Sequence, residues 1–89
     1  MAKYRPISTE VAAPTTLGTA VTVSDANVVR VTNTAASASY LVSLVDDAGV
    51  VTGTMTVLGF EVILIDKPKT WKIFAANSAV KFTSVTYPT

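Results

Sequence analysis

The sequence predicts an all-β domain: an antiparallel β-sandwich or flattened barrel of about seven short strands with an extended N-terminal arm. Three observations lead there. Runs of alternating apolar and polar residues recur from Thr19 to Val85, with turn residues about every 8–12 positions. No stretch carries the i, i+3, i+4 apolar spacing of an amphipathic helix over three turns. Thr52, Thr54 and Thr56 form a ladder at period two, a pattern that belongs on the exposed face of a sheet.

The elements follow in order. Residues 1–18 read as the arm, interrupted by Pro6 and Pro14, with Ala12-Ala13-Pro14-Thr15-Thr16 as extended chain. Tyr4, Ile7, Val11 and Leu17 make it too apolar for a free tail, and extended chain of this length reaches ~55–60 Å. Residues 19–89 form the domain. Thr19–Val23 is its first strand and Ser24-Asp25-Ala26-Asn27 the turn after it. Val28–Asn33 follows, then a small-residue loop at 34–39, then a strand at Ser39–Val45. Asp46-Asp47-Ala48-Gly49 is the clearest turn, with Gly49 able to take the positive φ that hairpin returns often need. Val50–Val57, Phe60–Ile65, Thr70–Ala75 and Ala79–Val85 complete the set, joined by a turn or bulge at Leu58-Gly59 and by turns at Asp66–Lys69 and Ala76–Ser78.

Alternation assigns the core to Val29, Val31, Tyr40, Val42, Leu44, Met55, Val57, Val62, Leu64, Trp71, Ile73 and Phe82. Several strands are apolar on both faces, through Leu41 and Val45, Ile63 and Ile65, and Phe74. One domain has one interior, so the second apolar face is expected against the arm, a neighbouring subunit or a larger body. The candidate interface is therefore Tyr4, Arg5, Ile7, Val11, Leu17, Ile63, Ile65 and Phe74.

Composition narrows the function. The 89 residues make one domain, and a chain this short has a modest core. Cysteine and histidine are both absent, which removes disulfides, thiolate and imidazole metal sites, and the usual nucleophile–base pairs. Asp46 and Asp47 are the one adjacent acidic pair, and they read as turn residues rather than calcium ligands. No catalytic, cofactor or metal residue is assigned, and the expected protein is not an enzyme. A net charge of +1 gives no electrostatic case for nucleic acid or an anionic membrane. Lys67, Lys69 and Lys72 beside Trp71 read as a solvated turn next to a core tryptophan. No segment reaches the ~20 apolar residues of a membrane span, and the N-terminus does not read as a signal peptide. Only 15% of residues are charged and 49% are hydrophobic, a balance that suits a permanent interface.

The opening Met1-Ala2-Lys3-Tyr4-Arg5-Pro6-Ile7-Ser8-Thr9-Glu10, the Arg30-Val31-Thr32-Asn33-Thr34 strand end, Val57-Leu58-Gly59, Ile65-Asp66-Lys67-Pro68 and the closing Phe82-Thr83-Ser84-Val85-Thr86-Tyr87 share a style over most of the chain. In this it resembles the short β-rich virion structural proteins of tailed phages, especially those infecting marine cyanobacteria. The resemblance carries no site residues across. It implies a capsid decoration, or cement, protein on the head surface, assembled in the host cytoplasm. The implied partners are the major capsid protein or other virion proteins, and the implied state is a homo-oligomer, with a trimer favoured. A tail, neck or fibre-attachment part, or a carbohydrate- or host-binding β-module, stays open beside it.

Overall fold

The protein is described by a computed structural model over residues 5–86. Its elements are β1 (Arg5–Pro6), β2 (Val11–Ala12), a short 3-10 turn at Leu17–Thr19, β3 (Val28–Asn33), β4 (Tyr40–Val45), β5 (Val51–Val57), β6 (Val62–Asp66), β7 (Lys72–Ala75) and β8 (Val80–Thr86). They form two antiparallel sheets. One runs β1–β8–β3–β6, with β2 also on β8; the other runs β5–β4–β7. The all-β, two-sheet architecture expected from the alternation is the architecture of the protein.

The core lies between the sheets. Val29 and Val31 of β3, Val42 of β4, Val57 of β5, Ile73 and Ala75 of β7, and Val80 and Phe82 of β8 form one buried cluster. Phe82 and Ile73 are its largest members. Parity along β3 places Val29, Val31 and Asn33 inward and leaves Val28, Arg30 and Thr32 partly open.

The N-terminal segment folds onto its own domain. Arg5 and Pro6 pair with Thr86 and Val85, and Val11 and Ala12 pair with Phe82 and Lys81. Between Pro6 and Val11 the chain takes five steps against three along β8, so it bulges. At the bulge the Ser8 hydroxyl replaces a backbone partner: its Oγ accepts from the Ser84 N–H at 3.0 Å. Glu10 swings over the sheet to within 3.5 Å of the Arg30 guanidinium. Beyond Ala13 the segment crosses to the other sheet. Ala75 donates to the Pro14 carbonyl, and Val21 and Ile73 exchange backbone bonds, so the outer edge of β7 is engaged as well.

Several expectations are corrected. Thr19–Val23 is not a strand: after the 3-10 turn only Val21 bridges to β7, and Val23, Ser24 and Asp25 all have φ near +57°. This left-handed turn is held by Ala26 donating to the Thr22 carbonyl and Asp25 donating to the Thr22 hydroxyl, and by burial of the Val23 side chain. β6 faces the other way from the expected parity. Its pairing of Ile65 with Val29 and Ile63 with Val31 turns both isoleucines onto the core, and Val62 is exposed. Met55 is exposed although it lies opposite Val42, because β5 is the rim of its sheet. Trp71 is half-buried just ahead of β7, not a central core residue.

Lys67 also departs from the solvated-turn reading. It is only 3% exposed, while Lys69 and Lys72 are open. Its N–H donates to the Asn27 carbonyl at 2.8 Å, and Nζ lies 3.4 Å from the carbonyls of Pro68 and Lys69. Burial pushes its pKa below the usual lysine value, partly opposed by the Asp25 carboxylate.

Candidate docking surface

The most unusual exposed feature is the turn that carries the chain from β5 to β6, and so from one sheet to the other. Its residues are Leu58, Gly59, Phe60 and Glu61. A polar turn would be ordinary here; this one presents Leu58 and Phe60 to solvent, Phe60 with 67% of its surface open.

The turn is rigid. Glu61 donates to the Leu58 carbonyl at 3.0 Å, and the Leu58 N–H donates back to Glu61 Oε1 at 3.0 Å. Phe60 donates to the Ala35 carbonyl at 3.1 Å, which ties the turn to the loop after β3. Gly59 lies against that loop so closely that a Cβ would meet the Ala36 carbonyl oxygen at 2.5 Å. The glycine is thus required by approach, and Phe60 takes the left-handed conformation at φ 59°. A bulky residue at positive φ is costly, and such strain persists only where the surroundings impose it.

Beneath the turn, Asn33 anchors the same loop. It is fully buried, and its Nδ2 donates to the carbonyls of Ala38 at 2.8 Å and Val57 at 3.1 Å. Its Oδ1 accepts from the Ala35 N–H at 3.0 Å.

The interface candidates read from sequence are distributed around the molecule. Tyr4 lies outside the described residues. Arg5, Ile7, Val11 and Leu17 are exposed along the N-terminal segment. Val11 lines an apolar cleft of about 370 Å³ with Ala12, Pro14, Val21 and Val23. Leu17 lies apart, in a cleft of about 210 Å³ beside Val45 and the Asp46 turn. Ile63 and Ile65 pack against the core, and Phe74 is half-buried opposite Ser43. The structure does not gather them into one patch. Phe60 and Leu58 were missed, although an apolar-Gly-apolar sequence at a turn position was a visible signal.

Asp46 serves its turn: Oδ1 accepts from the N–H groups of Ala48 and Val50 at 2.9 and 3.0 Å, and Gly49 takes φ 81°. Among the described residues, no group of three or more acidic side chains could hold a metal ion. No helix there is long and apolar enough to cross a membrane. No family model, curated protein or solved structure matches this chain.

Proposed function

We propose that the protein is a non-enzymatic structural component that docks on a larger protein assembly, with the Phe60 turn as its principal contact. The observation that carries this is a strained, hydrogen-bonded turn whose result is an exposed phenyl ring. A turn whose backbone is already held by hydrogen bonds loses little backbone entropy on docking, and fully burying a phenylalanine side chain contributes about 1.5–3 kcal/mol. The resemblance to small phage virion proteins supplies the assembly: a phage particle, with this chain as a decoration protein on the head. Repeated over many sites, a modest contact reinforces a shell.

The test is the amount of the 9.3 kDa chain in purified particles, measured against the major coat protein. Hundreds of copies per particle support decoration. Tens of copies move the protein to the tail or neck, and absence overturns the virion reading. A Phe60→Ser chain added to particles lacking the protein should fold normally and co-sediment poorly. Undiminished co-sedimentation would remove the turn from the contact.

A further inference from the structure

We infer that β5 pairs with β5 of a second copy of this chain, antiparallel, about a two-fold axis at Thr54. The inference needs no particle and is independent of what the Phe60 turn docks on. β5 is the rim of its sheet, bonded only to β4 among the described residues. Its residues from Val51 to Thr56 are exposed on both faces. Edge strands are normally blunted by lysine, proline or inward charges. From Ala48 to Phe60 this chain has no ionisable residue and no proline, whereas the rim strand of the other sheet, β6, is bracketed by Glu61 and Asp66. The one irregularity, a register shift opposite Leu44 and Val45, lies at the hairpin end and leaves Gly53–Thr56 straight.

The strand is complementary to itself. Centred on Thr54, the pairing sets Thr54 against itself and Thr56 against Thr52 of the other copy, the residue at the register shift, whose hydroxyl lies 3.4 Å from the Leu44 carbonyl; threonine pairs are favourable across strands. It sets Gly53 against Met55, so the space left by the missing side chain receives the flexible thioether. One residue beyond each end, exposed Val50 meets exposed Leu58. No like charges meet. The product is one continuous sheet of two β5–β4–β7 units. Growth stops there because the outer edge of β7 is already engaged by Pro14 and Val21. A closed pair follows, where the sequence resemblance implied a trimer.

The experiment is sedimentation of the full chain over a concentration series. A species of twice the 9.3 kDa mass is expected. Thr54 is exposed, so Thr54→Lys and Thr54→Glu should keep the far-ultraviolet circular dichroism of the parent, and any fall in Tm should be confined to the part that depends on protein concentration. Each alone places like charges face to face at the axis and should weaken the pair at least about tenfold. Mixed in equal amounts at low salt, the two should recover a dimer. A monomer throughout, a species of three times the mass, undiminished pairing by either single variant, or no recovery on mixing would each overturn the inference.

Discussion

The Asn33 side chain donates to the Val57 carbonyl over 3.1 Å, and the two residues end strands of different sheets. This bond, with those to Ala38 and Ala35, fastens the sandwich at one end and supports the loop on which the Phe60 turn rests. Replacing Asn33 by Ala removes the side-chain partner of the buried Val57 carbonyl and of the part-buried Ala38 carbonyl and Ala35 N–H. We expect a loss of about 2–4 kcal/mol in denaturant unfolding. A loss below about 1 kcal/mol would show that water satisfies those groups equally well.

Two glycines should respond oppositely. Gly59→Ala drives a methyl into the Ala36 carbonyl and should destabilise by about 1–3 kcal/mol. Gly18→Ala meets open space, has no positive φ, and should fall within about 0.5 kcal/mol of the parent. Equal melting temperatures for the two variants would contradict the close approach at Gly59.

Lys67 makes stability depend on alkaline pH. Its folded pKa lies below its unfolded value, so the folded chain binds fewer protons between the two. The cost of burying the ammonium is therefore present in full below the folded pKa. Stability should rise with pH through that interval and level off above the ordinary value of 10.5. Lys67→Met should be at least as stable at neutral pH and should lose this part of the slope. A variant with an unchanged alkaline profile would place the titration elsewhere.

Phe82, not Trp71, is the principal aromatic of the interior. Phe82→Ala should cost about 3–5 kcal/mol, because the ring is fully buried among Val29, Val31 and Ile73. Trp71→Ala should cost clearly less, since the indole is half-buried beside β7. Chemical denaturation of both variants ranks them, and the reverse order would return Trp71 to the core.

Removing residues 2–12 should lower Tm by at least about 5 °C and promote aggregation. The deletion uncovers the outer edge of β8 and strips the Ser84 N–H of its Ser8 partner. An arm that only reached outward would leave Tm unchanged.

Much of the fold was legible in the sequence because turn residues mark strand ends. Val28–Asn33 was bounded correctly, and the next five strands lie within two residues of expectation at each end. The facing of β6 was not legible: Val62 to Ile65 is apolar at both parities, and only its register with β3 decides which side turns inward. The left-handed turn at Val23 was also hidden, since a β-branched residue is the least expected there and packing imposes it. At the docking surface, Gly59 was visible as a turn residue. The positive φ falls on Phe60, because the glycine is needed for clearance beneath Ala36.

The pairing of Arg5 with Thr86 also governs when the protein can finish folding during synthesis. β3 and β6 and the β4–β5 hairpin can pair as they leave the ribosome, but residues 5–13 have no partner until β8 has emerged. This segment, made well before the strand it pairs with, is thus among the last to be secured, and it waits as unpaired chain carrying Ile7 and Val11. Such long-range closure folds slowly. Nascent chains stalled before β8 should therefore be cut readily within this segment, and chains released beyond it should be protected.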